Sequence, residues 1–509
     1  MVRFNRLAGM TLVCGTLVVP LLGVPAAQAA EILPCNTSRP YRDLNGDGFE
    51  DAVVGDPYAT VDGQAQAGTI TVLFGADDQQ IGEGERLTLN QSHFGETPEA
   101  GDHFGWAVAL NRTDSGGCYG ILVGSPGEDI DGLNRAGVGH LLTINPAGEG
   151  EQPDLMGSSY NQSDVGGTVE AEDEFGYSVD ALGGNDEYGV KFAFGAPGEN
   201  NDAGVVNTTE SLGSGDGRQH RQGSGGVPGQ FRAGDRFGEA IGFLGFLGVE
   251  SAEDWNLWVG APGDLINGHA KAGSVTAVAS YGPSRLYTQN SPGVPGTAET
   301  GDRFGASLAS SKIPPITDPD MVAIGAPGED VGSVKDAGSV TVLKRAGVTF
   351  LPTISLTQAT AGIAGTVEAG DQFGAAVAYR DDRTLAIGIP GEDIGSVVDA
   401  GSVQIVRVGK SNISTPYPSI TENYPGTPGV VQAGSRFGSS VAGLPSTDIM
   451  SAIDDPPSLY GEAAFAISSP LQGGGSVFVL SSNPDLNRFW KPGTGGISGT
   501  GVRFGQSVA

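Results

Sequence analysis

Gly301-Asp302-Arg303-Phe304-Gly305, then Gly325-Ala326-Pro327-Gly328-Glu329-Asp330, then Ala337-Gly338-Ser339-Val340-Thr341-Val342-Leu343 follow one another within one stretch, and the same order returns along the chain. Phe-Gly recurs at Phe104-Gly105, Phe175-Gly176, Phe237-Gly238, Phe304-Gly305, Phe373-Gly374, Phe437-Gly438 and Phe504-Gly505, about 67 residues apart. Between them lies Gly-x-Pro, at Gly55-Asp56-Pro57, Gly124-Ser125-Pro126, Gly195-Ala196-Pro197, Gly260-Ala261-Pro262, Gly325-Ala326-Pro327 and Gly388-Ile389-Pro390, with a degenerate copy at Ser468-Ser469-Pro470. Ala-Gly then opens an alternating run, as in Ala400-Gly401-Ser402-Val403-Gln404-Ile405-Val406.

Each period holds about four short strands. In the sixth unit they are expected at Phe373–Tyr379, Thr384–Ile389, Gly401–Val408 and Pro418–Glu422. Period-two alternation and β-branched residues between Gly, Pro, Asn and Asp favour strands, and no stretch carries an extended 3.6-residue pattern. Seven repeats of a four-stranded unit read as an all-β, seven-bladed β-propeller with antiparallel blades. A β-solenoid has a much shorter repeat. The first unit begins at Tyr41-Arg42-Asp43 with no Phe-Gly before it, and the chain ends on Arg503-Phe504-Gly505-Gln506-Ser507-Val508-Ala509 with nothing after it. The C-terminal strand is therefore expected to complete blade 1 and close the ring.

Composition agrees. The 509 residues include 84 Gly and 31 Pro, which suits a turn-rich fold, and 59 acids against 27 bases give a net charge of −32. Such a chain cannot neutralise nucleic-acid phosphates, and it is no polybasic membrane-surface protein. Residues 1–29 combine Arg3 and Arg6, an apolar run from Leu7 to Pro25 and Ala27-Gln28-Ala29, the layout of a secretory signal peptide. The expected organisation is a signal over 1–29, a short segment over 30–40 and the propeller over 41–509, in a secreted, extracellular protein with no membrane span in its mature chain. Cys35 and Cys118 then meet an oxidising compartment and are expected to form one disulfide.

The motifs resemble the FG-GAP repeats of the integrin α-subunit N-terminal propeller, also found in secreted bacterial proteins and in a glycosylphosphatidylinositol-specific phospholipase D. The resemblance spans residues 41–509. It implies a propeller fold strongly and a function weakly, because function belongs to sites carried on a fold.

Asp43-Leu44-Asn45-Gly46-Asp47-Gly48-Phe49-Glu50-Asp51 offers the clearest site. Side-chain oxygens of Asp43, Asn45, Asp47 and Asp51 and the carbonyl of Phe49 fall at alternate positions on a tight loop, which suits Ca²⁺. Strands flank it and no glutamate stands at position 12, so it matches the cation loops of FG-GAP propellers rather than an EF-hand. Two further acidic series, Glu128-Asp129, Glu199, Asp264, Glu329-Asp330 and Glu392-Asp393 after Gly-x-Pro, and Asp102, Asp173, Asp235, Asp302 and Asp371 before Phe-Gly, fall in loops at one end of the ring. They read as turn chemistry or as an acidic, cation-dependent face.

No nucleophile elbow, zinc-protease motif or P-loop occurs. The five histidines, His93, His103, His140, His220 and His269, are scattered, and His103 occupies a slot that varies between units. Asn36-Thr37-Ser38 and Asn111-Arg112-Thr113 are glycosylation sequons. The expected function is a secreted, monomeric, calcium-binding module for adhesion-like recognition of a protein or glycan, with no catalytic residues assigned. An extracellular hydrolase akin to FG-GAP-bearing phospholipases is the alternative.

Overall fold

The computed structural model describes residues 42–509 apart from 77–80, 113–118, 146–153, 184–189, 246–254, 281, 312–319, 347–348, 382, 410–411, 415–417, 426–428, 445–462, 472, 482–484, 486, 496 and 498–502. The signal segment, Asn36, Cys35 and Cys118 lie outside the described residues, and so does the expected disulfide. The described chain folds as a seven-bladed β-propeller, each blade a four-stranded antiparallel sheet. The first strands of the blades are Ser507–Val508, Ala107–Arg112, Ser178–Leu182, Ala240–Gly245, Ser307–Ser310, Ala376–Tyr379 and Val441–Gly443. They touch one another in succession and form the inner ring. Closure is as expected: Val508 pairs with Val54 and Ser507 with Gly55, so the last strand completes blade 1.

Seven apolar clusters fill the seven gaps between neighbouring blades, and each contains the Phe of one Phe-Gly. The second and third strands, such as Thr384–Ile389 and Ser476–Ser481, are buried along their whole length because both faces meet a neighbouring blade. This explains why their apolar runs are nearly continuous rather than strictly alternating.

The three repeated signals are parts of one joint between blades. The Phe-Gly pair is a turn rather than the start of a strand: Trp106 N donates to His103 O at 3.0 Å, and Ala306 N to Arg303 O at 3.0 Å. The third residue of that turn needs positive φ, and Gly105 has 88° and Gly305 93°. The turn drops the Phe into the gap, where its N–H bonds to the Ala of the preceding blade's Ala-Gly, as from Phe304 N to Ala272 O at 3.0 Å. The Gly of Gly-x-Pro leaves room for the next turn. A Cβ on Gly388 would lie 2.0 Å from the Gly438 carbonyl oxygen, and one on Gly124 1.8 Å from that of Gly176.

Two expectations need correction. The fourth strand of the sixth blade is Ile413–Ser414, and the 418–422 stretch contributes only one bridge, Ile420 to Val403. A turn with Gly409 N bonded to Asn412 O at 2.8 Å brings the chain back early, and Pro418 has no N–H for a ladder. The stretch Gly213–Gly229, whose Gly/Ser-rich composition suggests a surface loop, contains strand Arg218–His220 of blade 3. Asn111, in a sequon, donates its side-chain amide to the Ala181 carbonyl of the next blade.

Candidate functional site

The residue before each Phe-Gly stands at the mouth of the inner ring. His103, Glu174, Arg236, Arg303, Gln372 and Arg436 all have φ between 54° and 59°, a left-handed conformation that is unusual for residues with a Cβ. Persistent strain of this kind is a pointer to function. It aims these side chains toward their counterparts in neighbouring blades: Arg236 reaches Glu174 at 3.1 Å, Asp202 at 2.9 Å and Glu239 at 2.6 Å, and Arg303 reaches Glu239 at 2.9 Å.

Between blades 1, 2 and 3 this mouth opens into a pocket of about 670 Å³, within the range of small-molecule sites. Tyr58, Trp106 and Tyr177 form an aromatic wall, with His103 at 5.1 Å from Tyr58 and 5.8 Å from Trp106 between ring centroids. Arg503 covers Tyr58 at 4.3 Å. Arg135, paired with Glu172 and Glu174, supplies a cation opposite. Burial, then the charges of Arg135 and Arg503, hold the His103 imidazole below its ordinary 6.5, so it is neutral at pH 7. Burial pushes the Tyr177 phenol up to about 12, so it remains a hydrogen-bond donor. The sequence places His103 in a slot that varies between units; the structure makes it a half-buried wall residue. Its variability between units was itself the signal, because a site on a repeated frame occupies positions where the repeat departs from itself.

The two acidic series do not form an open charged face. Asp102, Asp173, Asp235, Asp302 and Asp371 are buried, as are Glu128, Glu199, Asp264 and Glu392, at the junctions between blades. Each Asp accepts the N–H three residues back, as from Glu170 to Asp173 at 2.8 Å and from Arg232 to Asp235 at 3.0 Å. The second acid of each Glu-Asp caps the hairpin, Asp330 accepting from Asp336 N at 3.0 Å and Asp393 from Asp399 N at 2.9 Å. The first acid points inward to a glutamine the sequence reading missed. Gln91 bonds Glu128, Gln162 bonds Glu199, Gln222 bonds Asp264, Gln289 bonds Glu329 and Gln358 bonds Glu392. Burial raises these carboxyls, Asp173 to about 7 and Glu128 to about 8.

The structure gathers Asp43, Asn45, Asp47, Phe49 and Asp51 in one loop at the start of blade 1. Asp43 and Asp51 are fully buried. Asp43 accepts from Gly46 N at 2.5 Å and Gly48 N at 3.0 Å, while Asp51 accepts from Leu44 N at 2.7 Å and Gly75 N at 2.9 Å. Burial pushes the Asp51 carboxyl well up, and repulsion from Asp47 and Asp43 adds to it. A set of hard oxygens whose ionised form is penalised by burial and like charge fits a divalent cation.

Ser125 and His140 form a bonded pair at 2.9 Å, but both are fully buried and His140 lies against Phe94 and Phe104. Burial holds that imidazole at about 3. The pair is part of the core, closed to a substrate.

No family model matches the sequence, and no curated protein matches it. Among solved structures, a putative 6-phosphogluconolactonase from Bacteroides fragilis is similar over 90% of this chain and 97% of its own, at 9% identity and a TM-score of 0.41. The periplasmic gluconolactonase of Pseudomonas aeruginosa is similar over 87% of this chain and 94% of its own, at 10% identity and a TM-score of 0.41. At these values the likeness extends to the fold alone. Both carry enzyme descriptions, neither an adhesion or integrin one, and the expected adhesion-like recognition module is corrected accordingly. No helix among the described residues is long and apolar enough to cross a membrane.

Proposed function

We propose that the chain is a hydrolase that cleaves an ester or lactone bond in a polyhydroxylated substrate seated in the mouth pocket. The observation that carries this reading is the neutral imidazole of His103 in the wall of the mouth pocket, beside the tilted rings of Tyr58 and Trp106 and near the Arg135 guanidinium. Aromatic faces suit the apolar faces of a sugar ring, and the alternating Arg and Glu side chains offer donors and acceptors to its hydroxyls. Gln66 Oε1 lies 3.3 Å from Nε2 of His103 and accepts a hydrogen bond from its N–H, which leaves the Nδ1 lone pair for a base. In this mechanism His103 takes a proton from water as the water oxygen attacks the carbonyl carbon. Arg135 stabilises the resulting oxyanion. The acyl–oxygen bond then breaks, and the imidazolium returns the proton to the leaving oxygen.

Hydrolysis of a panel of sugar lactones and aryl esters tests the reading. His103→Gln is expected to lower kcat by about 10²–10⁴-fold without loss of fold. Protonation removes the base, so activity should fall as pH drops, with the acid limb below 6.5 because the imidazole is shifted down. A variant as fast as the parent, or no turnover of any ester or lactone, overturns it.

The resemblance of the motifs to FG-GAP repeats and the leader-like N-terminus support a secreted, calcium-stabilised protein. Asp43, Asn45, Asp47, Phe49 and Asp51 would hold Ca²⁺, which neutralises the buried acids and ties the loop to the start of blade 1. Saturating calcium should then raise stability by about 2.7 kcal/mol at a hundredfold excess over Kd. Asp47→Ala should reduce that gain in thermal unfolding, and an equal gain in both proteins would rule the loop out.

A further inference from the structure

We propose that the junction of blades 2 and 3 holds a second class of divalent cation site, taking Ca²⁺ between Glu170, Asp173, Glu199 and the side-chain oxygen of Gln162. Carboxylate oxygens of the three acids lie within 4.8 Å of one another. An acidic group alone is common without an ion; here a further ligand stands beside it. Gln162 is 1% exposed, and its amide is fixed against the acids by Nε2, which donates to Glu199 Oε2 at 2.8 Å. The other atom of that planar amide, Oε1, is buried with no hydrogen-bond partner. A buried amide oxygen without a partner costs about 1–3 kcal/mol. Carboxylate and side-chain amide oxygens together are the donor set of Ca²⁺, with water completing six to eight ligands.

The pattern returns. Gln91, Gln222, Gln289 and Gln358 hold the same position beside Glu128, Asp264, Glu329 and Glu392, each with its Oε1 buried and unpartnered. Asp102 with Glu99, Asp302 with Glu299 and Asp371 with Glu368 stand at those junctions and the members of each repel one another, but among the described residues only Glu170, Asp173 and Glu199 bring three carboxylates within 4.8 Å. At the junction of blades 5 and 6, one oxygen of buried Asp371 also lacks a partner. Gly365, at φ 102°, leaves the space beside it open; a Cβ there would lie 2.7 Å from Gln358 Nε2 and 2.9 Å from Glu392 Oε1.

One junction departs from the pattern in an informative way. Between blades 3 and 4 the first glutamate is replaced by Arg232, whose guanidinium lies 3.5 Å from Asp264. Where the third carboxylate is missing, the chain supplies its own cation to the remaining acids. At the junction of blades 2 and 3 no guanidinium is ion-paired to the three acids among the described residues, Arg221 acting on Glu199 only through its field, and a metal ion fills the close electrostatic role that Arg232 has next door.

Equilibrium dialysis of chelator-stripped full-length protein against radioactive calcium tests this, in an Asp47→Ala background that silences the blade 1 loop. Glu170→Gln is a safe variant because Glu170 is exposed. Alone it should weaken one class of bound calcium about tenfold or more, and with Glu199→Gln it should remove one equivalent. Arg232→Glu should add one. Unchanged binding in the folded double variant overturns the proposal and leaves the acids sharing protons instead. Loss there without a gain in Arg232→Glu keeps the site between blades 2 and 3 and overturns the reading of Arg232 as a built-in cation. These outcomes do not depend on hydrolytic activity.

Discussion

A chain cut before Arg503 should aggregate and unfold at a markedly lower temperature than the full protein. The missing residues supply Phe504, buried in the cluster between blades 7 and 1, and removing such a side chain costs about 3–5 kcal/mol. They also supply the bonds from Gly505 N to Gly55 O at 2.9 Å, Val53 N to Ala509 O at 2.9 Å and Ala509 N to Val53 O at 3.0 Å, each worth about 1 kcal/mol. Ser507 Oγ adds a bond to Gly105 O of the next blade at 2.8 Å. Against a total stability of about 5–15 kcal/mol this is a large fraction, and the exposed edge of Ala52–Asp56 becomes a template for other chains. Light scattering and thermal unfolding measure both effects. A circular permutant carrying residues 503–509 ahead of residue 42 should recover, which separates a closure defect from mere shortening. A truncated chain with the parent's melting temperature and no aggregation would show that the ring does not depend on this strand.

Gly388→Ala should be strongly destabilising, because this glycine sits in the molecule's repeated joint. Its Cβ would stand 2.0 Å from the Gly438 carbonyl oxygen, an atom of the backbone that cannot rotate away. Blades 6 and 7 would have to separate, opening the cluster around Phe437 and Phe478. Overpacking usually costs about 1–3 kcal/mol, and a backbone obstacle places this variant at or above the top of that range. Gly242→Ala is the control: it too stands within a strand, Ala240–Gly245, without positive φ, but nothing lies within 4 Å of its Cβ. Denaturant unfolding of the two variants should differ by about 2 kcal/mol or more, and equal midpoints would show that the joint yields more easily than its geometry implies.

The fold was legible because its determinants are local and repeated. Phe304, Gly305, Gly325 and Gly338 meet in one joint, yet each belongs to a short motif visible in sequence, and seven copies make the pattern unmistakable. The buried acids were harder to place. Glu199 looks solvated when read beside Asn200 and Asn201, and only Gln162, 37 residues earlier, reveals that it faces inward. A fourth repeated signal was present: Asn90-Gln91, Asn161-Gln162, Thr288-Gln289 and Thr357-Gln358 each follow the last strand of a blade. The pocket was least legible, because Tyr58, His103, Trp106 and Tyr177 come from three blades and none repeats.

The position of the closing strand also sets a timetable. Ala52–Asp56 is made about 450 residues before its partner, Ser507–Val508. At about 5–20 residues per second the wait is roughly 20–90 s. During that time blades 2 to 6 can assemble against their neighbours, since each needs only the blade beside it, while the edge of the first stays bare. Any holdase that shields this protein during synthesis must therefore cover Ala52–Asp56 until Ser507–Val508 arrives.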